Sequence, residues 1–266
     1  MNLDFTLAKY RELCGVISNS KYIPMTVEGY LTRKGEYDRI IILRHDVDLR
    51  PKHALWIAEI EKEYNLRSTY YFRMTEQVFQ RDIIEQIRSL GHEIGYHYEV
   101  LDTAKGDFEK AIKIFEEELE VFRKICDIQT TCMHGNSRTP WNSRDIWRKY
   151  DFTDFGVLGE AYLSIDFSRL AYLSDSARTW DRKYKVKDVV DDSNGVNLLQ
   201  IRDTDEIIDL IRNERFNEFY ILTHPDEWTD NPAVWVWDIV MQSFRNRAKL
   251  ALKWWFELGR KTPHTQ

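Results

Sequence analysis

The sequence predicts an α/β fold built on a parallel sheet, and three observations support this class. Short β-rich runs alternate with longer, charged segments of helical periodicity, which is the pattern of βα units. Seven such runs favour an incomplete or distorted (β/α) barrel, although an open doubly wound sheet has the same periodicity. The 266 residues include only 6 Pro and 11 Gly and no linker-like tract, so we expect a single domain over 1–266.

The predicted elements follow the chain in order. Strands are expected near 39–46, 67–73, 92–98, 129–134, 154–158, 197–202 and 218–224. Helices are expected over 51–64, 81–90 and 107–126; Pro51 suits a first helical turn, and Gly91 is placed to end the second helix. Residues 1–38 are expected to form an N-terminal helical extension. A helix over 231–258, which begins after TDNP and carries an apolar face, is expected to pack on the barrel.

The composition is that of an acidic globular protein. The net charge is −6 and acidic and basic residues mix along the chain, so we expect no nucleic-acid partner. The N-terminus lacks the basic and apolar blocks of a signal peptide, and the longest purely aliphatic run is 40–43. We therefore expect no membrane insertion and a cytoplasmic location. An odd set of 3 Cys without metal-type spacing fits reduced, packed thiols.

Aromatic residues are unusually frequent, with 9 Trp, 14 Tyr and 13 Phe. Sugar-binding clefts use such rings, because a flat ring covers the apolar face of a pyranose and loses little conformational entropy. The same residues also fill ordinary cores, and for any single ring the core is the interpretation that we favour.

Polar residues cluster where the predicted strands end. Five runs begin with apolar residues and end with residues that can bind a metal or transfer a proton: IIILRHDVD, STYYFR, EIGYHYE, TTCMHGN and YILTHPDEW. In parallel βα folds the carboxyl ends of the strands gather on one rim, where active sites form. We therefore expect one group of side chains to converge there: Asp46, Asp48, Arg73, His97, Glu99, His134 and His224.

Side-chain alternation sorts these residues further. Asp46 and Asp48 share one face of their strand, and His97 and Glu99 share one face of theirs. Carboxylate oxygen and imidazole nitrogen bind zinc-type ions, so Asp48, His97 and His134 form a candidate metal set. Alternatively, the carboxylates cap a helix or pair with arginine, and a lone histidine is usually structural. We favour that structural interpretation for His45, His53, His92 and His264.

Three segments carry a resemblance to a known family. RHDVD, GHEIGYHYE and ILTHPDEW, in this order and spread over almost the whole chain, resemble the polysaccharide deacetylase superfamily, which is carbohydrate esterase family four with the NodB-homology fold. The likeness extends to STYYF and FGVLGEAYLSID. The segments MHGNSRTPWNSRDIW, YLSDSARTWD and THPDEWTDNPAVW resemble an uncharacterised, divergent branch of it. The resemblance implies a distorted (β/α)7 barrel of the polysaccharide deacetylase type.

The resemblance also implies catalytic roles. In the superfamily an aspartate pair supplies a general base and a metal ligand, two histidines spaced by four residues complete the metal shell, and a histidine on the last strand is the general acid. Asp46 matches the base, His97 the first metal histidine and His224 the acid.

Two positions depart from the family pattern. Val47 separates the two aspartates, so Asp48 has to reach the metal from a shifted position. The second metal histidine falls at Leu101, which cannot bind a metal. We hypothesise that His134 replaces it, with Glu99 as a possible metal or substrate ligand. The expected cofactor is a divalent metal ion, with zinc as the first choice.

Substrate contacts are expected in the loop YLSDSARTWD. It supplies Asp175, Arg178 and Trp180; the indole could stack on a sugar ring and the guanidinium could hold a carboxylate or phosphate. An ion pair that anchors the loop, with a packed indole, explains the same residues equally well. Arg73, at the end of the second predicted strand, is expected to orient Asp46 or to bind substrate.

Three functions fit these features. The first is a metal-dependent deacetylase that acts on an N- or O-acetylated sugar or sugar nucleotide, such as a precursor of a surface polysaccharide. The second is a metal-dependent hydrolase of another carbon–nitrogen bond on the same fold. The third is a catalytically inactive glycan-binding or assembly protein, which the leucine at position 101 would fit. The sequence predicts no particular oligomeric state.

Overall fold

An all-parallel sheet with helices on its outer side organises the chain. The computed structural model describes residues 3–136, 139–181, 190, 200–243 and 245. The strands are β1 Ile23–Met25, β2 Ile40–Val47, β3 Thr69–Phe72, β4 Glu93–Tyr98, β5 Thr130–Met133, β6 Gly159–Glu160, β7 Ala171–Ser174 and β8 Glu218–Thr223. The helices are α1 Leu7–Ser18, α2 Val27–Thr32, α3 Pro51–Glu63, α4 Arg81–Ser89, α5 Val100–Thr103, α6 Phe108–Arg123, α7 Thr204–Arg212 and α8 over 232–243.

The sheet curls into the wall of a barrel. Its order is β6-β5-β4-β3-β2-β8-β7, β1 pairs with the start of β2, and all these pairs are parallel. Arg44 Nη2 on β2 donates to Cys132 Sγ on β5 over 2.6 Å, although β3 and β4 lie between these strands. In a flat sheet the two strands would stand about 14 Å apart. The predicted fold class, a distorted (β/α)7 barrel, is therefore confirmed.

Alternation along the strands divides the core into two layers. β2 is buried along its whole length and begins with three isoleucines, which favour strands. Ile42 on β2 and Tyr71 on β3 belong to the cluster inside the barrel. Leu43, the neighbour of Ile42, belongs to the larger cluster between the sheet and the helices, where Phe115 of α6 also packs. Burial of these apolar faces is the main stabilising term of the fold.

A buried carboxylate, that of Glu61 on α3, joins the helices to the outer face of the sheet. It accepts hydrogen bonds from the hydroxyls of Tyr10 (2.8 Å) and Tyr70 (2.6 Å), and it contacts His45 Nε2 (2.9 Å). Burial opposes its ionisation, but His45, together with His92 and Ser68, lowers the pKa of Glu61 to about 2. The other ring nitrogen of His45 lies 2.6 Å from Thr223 Oγ1. This outer network, Tyr10, His45, Glu61, Tyr70 and Thr223, therefore ties β2 to β8.

Five of the predicted strands are present. Those near 39–46, 67–73, 92–98, 129–134 and 218–224 correspond to β2, β3, β4, β5 and β8. The strand predicted at 154–158 is wrong: Phe152–Phe155 is a 3-10 helix, because the Asp151 side chain caps the Thr153 amide, and β6 follows only at Gly159–Glu160. Of the strand predicted at 197–202, residues 200–202 form no strand and 197–199 lie outside the described residues.

The ends of the chain differ from the prediction in one respect. Residues 1–38 contain α1 and α2, but also β1, which pairs with β2 in register Ile23 to Ile40, so this segment is not wholly helical. Residues 232–243 of the predicted 231–258 helix are helical, and most of the remainder lies outside the described residues. Cys14, Cys126 and Cys132 are buried free thiols, as predicted. No helix in the described part of the chain is long and apolar enough to cross a membrane.

Replacing Gly95 on β4 by alanine is expected to destabilise the fold by about 1–3 kcal/mol. A Cβ at this position would stand 2.3 Å from the Tyr71 ring and 3.0 Å from the carbonyl oxygen of Thr130. The ring cannot move aside easily, because Tyr71 is fully buried and its hydroxyl bonds Thr130 Oγ1. The urea unfolding midpoint measures the effect.

Gly15→Ala is the matched control. The added Cβ would contact the Tyr64 ring at an ordinary distance of 3.4 Å. Because Gly15 lies inside α1 and alanine favours helix, this substitution should raise the free energy of unfolding by up to about 1 kcal/mol. A Gly95→Ala midpoint equal to that of wild type would contradict the tight inner packing.

Candidate active site and metal centre

The carboxyl ends of the strands bring side chains that can bind a metal or transfer a proton onto one rim of the barrel. Asp46 lies in β2 and His97 in β4, while His134 and His224 directly follow β5 and β8. An open cleft of about 610 Å³ adjoins this rim and is lined by Asp48, Leu49, Arg73, Thr75, Glu76 and Gln77. Its polar lining leaves room for a hydrophilic substrate beside Asp48.

Asp46 points into the barrel and is buried with Arg44 of the same strand. Arg44 Nε and Nη2 donate to the two carboxylate oxygens over 2.8 and 2.6 Å. The guanidinium is itself fully buried and lies over the Tyr162 ring, 4.4 Å from its centroid. Burial opposes ionisation of Asp46, but Arg44 and then His97 outweigh burial and lower its pKa. Such a carboxylate accepts a proton effectively only from a water that is itself made acidic.

Asp48, His97 and His134 converge beside Asp46. Asp48 Oδ1 lies 3.5 Å from Nε2 of His97 and 3.7 Å from Nε2 of His134. In both rings Nδ1 faces an acceptor at 3.0 Å, the carbonyl of Cys132 for His97 and the carboxylate of Glu99 for His134. These acceptors place the proton of each neutral ring on Nδ1 and leave the Nε2 lone pair on the side of Asp48.

The donor types of this set, one carboxylate and two imidazoles, are those that a zinc-type cation binds. Asp48 Oδ1 is buried and has no hydrogen-bond partner among the described residues. Ligand atoms of a tetrahedral zinc ion stand about 3.3 Å apart, close to the two distances from Asp48 to the histidines. The ligand atoms of Asp48, His97 and His134 do not, however, all lie within 4.8 Å of one another. Burial opposes protonation of His134, but Asp48 and then Glu99 outweigh burial and raise its pKa. Surroundings that favour a positive charge on this ring also favour a metal ion next to it.

Glu99 stands behind His134. Besides His134 Nδ1, its carboxylate accepts two hydrogen bonds from Arg73 Nη2, over 2.8 and 2.9 Å. Burial opposes its ionisation, but His134 and Arg73 lower the pKa of Glu99 to about 2. Arg73 Nη1 also donates to the carbonyl oxygen of Asp48 (3.2 Å). Arg73 therefore contacts Glu99 and Asp48, whereas the side chain that pairs with Asp46 is Arg44.

A second possible metal set shares His97 with the first. Ligand atoms of Asp46, His97 and Cys132 lie within 4.8 Å of one another. The guanidinium of Arg44, however, binds both oxygens of Asp46 and the Cys132 sulfur. Because a positive charge already occupies that position, we favour the set that contains Asp48. Leu101 takes no part in either set, since its side chain is buried in the core between sheet and helices.

His224 is held by a buried aspartate. Its Nδ1 lies 2.6 Å from Asp175 Oδ1, and its backbone amide donates to both oxygens of that carboxylate over 2.9 and 3.0 Å. Trp228 Nε1 donates to Asp175 Oδ2 (2.8 Å). Burial opposes the charged imidazolium, but Asp175, together with Asp48 and Asp46, raises the pKa of His224 well above its ordinary value. Asp175 is 0 % exposed, so it orients His224 instead of lining the cleft.

The other two loop residues predicted to bind substrate are buried. Trp180 is 2 % exposed, donates to Thr204 Oγ1 (3.1 Å) and packs near Phe5 and Trp228, so neither face of its ring is free for a sugar. The Arg178 side chain is 3 % exposed and pairs with Glu227 at 3.5 Å. The structure thus matches the loop-anchoring alternative for both residues.

Two polar residues of the rim were not among the predicted site residues. Arg44 precedes Asp46 by two positions, and this alternation is the signal that places both inside the barrel. Asp226 follows His224 by two positions, in the 3-10 turn Pro225–Glu227. Burial and the negative charge of Asp48 raise the pKa of Asp226 to about 6. Asp226 therefore belongs to the electrostatic surroundings of Asp48.

Comparisons with known proteins gave a likeness to solved structures. No family model and no curated protein matches the sequence. A solved structure, described as that of a Streptococcus mutans CE4 esterase, is similar to this chain with a TM-score of 0.42 and 12% sequence identity. That match covers 75% of this chain and 92% of the other.

Proposed function

We propose that this protein is a metal-dependent hydrolase that removes an acetyl group from an N- or O-acetylated sugar. The observation that carries the proposal is the juxtaposition, on one rim, of a carboxylate paired with an arginine, a candidate metal set and a histidine paired with a buried aspartate. These are Asp46 with Arg44, the set Asp48, His97 and His134, and His224 with Asp175. The motif resemblance described above supplies the acetylated sugar as the expected substrate.

The candidate metal set would hold the Lewis acid of the reaction. A divalent ion, zinc by preference, held by Asp48, His97 and His134 would polarise the acyl oxygen and lower the pKa of a bound water. Asp46 takes the proton from the attacking water, and Arg44 keeps it ionised until that moment. The Nδ1 contacts of His97 and His134 hold the two rings in the orientation that ligation needs.

His224 completes the reaction on the neighbouring strand. β2 and β8 are paired, with His45 opposite Thr223, so Asp46 and His224 follow each other across adjacent strands. Asp175 keeps His224 protonated, and His224 donates that proton to the departing amine or alkoxide. The base that deprotonates the water and the acid that protonates the leaving group thus come from adjacent strands, while the cleft beside Asp48 accommodates the sugar.

Asp48→Asn is expected to abolish stoichiometric metal binding and, with it, acetate release. The amide has no charge to offer a divalent ion, while His97 and His134 remain. Elemental analysis of protein reconstituted with zinc measures the stoichiometry, and acetate is assayed with acetylated sugars and sugar nucleotides. Asp154→Asn, at an exposed position, is the control and should keep both properties.

The outcomes separate the three functions considered from the sequence. Wild-type protein without stoichiometric metal after reconstitution would contradict hydrolysis and favour the inactive glycan-binding protein. Bound metal without acetate release from any acetylated sugar would favour cleavage of another carbon–nitrogen bond. Full metal content in Asp48→Asn would remove Asp48 from the ligand set.

A further inference from the structure

One guanidinium, that of Arg73, links two members of the candidate metal set. Its Nη1 donates to the backbone carbonyl oxygen of Asp48 over 3.2 Å. Its Nε and Nη2 donate to Oε1 of Glu99 over 3.3 and 2.8 Å, and Nη2 also lies 2.9 Å from Oε2. Oε2 in turn lies 3.0 Å from His134 Nδ1. Arg73 therefore reaches Asp48 directly and His134 through Glu99.

The main chain fixes Glu99 and His134 beside each other. The amide of His134 donates to the carbonyl oxygen of Tyr98 (2.8 Å), the residue that precedes Glu99. The carbonyl oxygen of Glu99 accepts from the amide of Asp102 in α5 (3.1 Å). The side chains of Arg73 and Glu99 are only 18% and 20% exposed, so surrounding atoms restrict their movement.

This arrangement determines which ring nitrogen of His134 carries the proton. A guanidinium has only donors and an ionised carboxylate has only acceptors. The neutral ring therefore donates from Nδ1 to Glu99, and its Nε2 keeps a lone pair on the side of Asp48, whose Oδ1 is 3.7 Å away. A metal ion binds a neutral imidazole through such a lone pair.

An amide in place of the Glu99 carboxylate would reverse the tautomer. The single amide oxygen is best placed at the Oε1 position, where Arg73 donates from both Nε and Nη2. The amide NH₂ group then faces Nδ1 of His134, which has to act as an acceptor. The ring proton moves to Nε2, and the lone pair on the side of Asp48 is lost.

We propose that Arg73 is a positioning residue of the candidate metal set, which holds the main chain of Asp48 and, through Glu99, the metal-binding tautomer of His134. The inference rests on the proposed function, since it concerns the same ion. This role differs from the two that the sequence suggests for Arg73, which are to orient Asp46 and to bind substrate.

The test is a double-mutant cycle on the zinc affinity of the full-length protein, measured by competition with a chromogenic chelator. Glu99→Gln and Arg73→Met should each raise the dissociation constant by about tenfold or more. Without Arg73, however, the amide can turn its oxygen to His134. Adding Glu99→Gln to Arg73→Met should therefore raise the constant by only about twofold or less.

Nitrogen NMR of the histidine rings reads the tautomer directly, in metal-free protein at a pH at which the rings are neutral. His134 should carry its proton on Nδ1 in wild type and in the double variant, and on Nε2 in Glu99→Gln. Glu76→Gln is the matched control, because Glu76 is exposed and lines the same cleft as Asp48 and Arg73. It should keep the wild-type tautomer and zinc affinity. Thermal unfolding of the metal-free proteins checks that every variant folds.

The results distinguish this inference from the proposed function. A wild-type tautomer in Glu99→Gln and wild-type zinc affinity in Arg73→Met, together with loss of metal in Asp48→Asn, would overturn the role of Arg73 alone. An equal cost of Glu99→Gln with and without Arg73 would overturn it as well. A wild-type protein that binds no zinc would overturn both the inference and the proposed function.

Discussion

Asp46→Asn is expected to lower kcat/KM for acetyl release by about 10²- to 10⁴-fold, because the amide cannot take the proton of the attacking water. The same change leaves the fully buried guanidinium of Arg44 without its anion. Breaking a buried ion pair in this way costs about 3–5 kcal/mol of unfolding free energy. Acetate release and urea unfolding, measured on one preparation, give the two effects.

A double variant separates the lost base from the lost stability. In Arg44→Met with Asp46→Leu, both charges of the buried pair are gone, so most of the stability should return while turnover stays low. Metal content should remain at the wild-type value in both variants, since neither residue belongs to the favoured ligand set. Full turnover in Asp46→Asn would exclude Asp46 as the base.

The buried pair of Arg44 and Asp46 also makes the stability and the activity of the protein depend on pH. The pKa of Asp46 is lowered in the folded state, so its contribution to stability is complete above the unfolded value of about 3.9 and is lost as the pH falls through the folded value. Arg44→Met removes the nearest positive charge and should raise the pKa of Asp46. The acidic limb of the kcat/KM profile should then move to higher pH.

His224→Gln is expected to cost about 10²- to 10⁴-fold in kcat/KM on substrates with poor leaving groups. Glutamine can occupy the position of the ring but cannot donate a proton to the departing amine or alkoxide. An activated aryl acetate, whose leaving group needs no proton, should lose much less. Equal losses on both substrates would contradict a role as general acid.

Asp175→Asn tests whether Asp175 keeps the His224 ring protonated. Asp175 raises the pKa of His224, so the imidazolium persists at neutral pH and is lost as the pH rises through its folded value. Without this charge the alkaline limb of the kcat/KM profile should move to lower pH, and an NMR titration of the His224 ring should show the same shift. An unchanged titration would contradict the assignment of Asp175 as a positioning residue.

The sequence predicts the strands that carry the site better than the shortest strands of the sheet. β2, β4 and β8 are six to eight residues long and buried over nearly their whole length, so their apolar runs are distinct. β1 and β6 have only three and two residues. Such short strands carry no periodic signal of their own and depend on pairing with neighbours that are distant in sequence.

For the candidate site, alternation and strand ends predict which residues gather, but not how they pair. The rim position of Asp48, His97, His134 and His224 follows from the sequence pattern. The pairing of His224 with Asp175 does not, because 49 residues separate them and the contact depends on β7 lying next to β8. Burial likewise decides between the two explanations of Trp180, and burial depends on packing that no local pattern encodes.

The outer network bears on the mutational tolerance of β2. Along this strand, Arg44 and Asp46 face the candidate site, while His45 between them faces Glu61. Residues of the candidate site therefore alternate along this strand with a residue of the outer network. Few substitutions between positions 44 and 46 can be neutral. Adaptation to a new substrate is more readily accommodated in Leu49, Thr75 and Gln77, which line the cleft beyond the strand ends and can change without disturbing the acid, the base or their support.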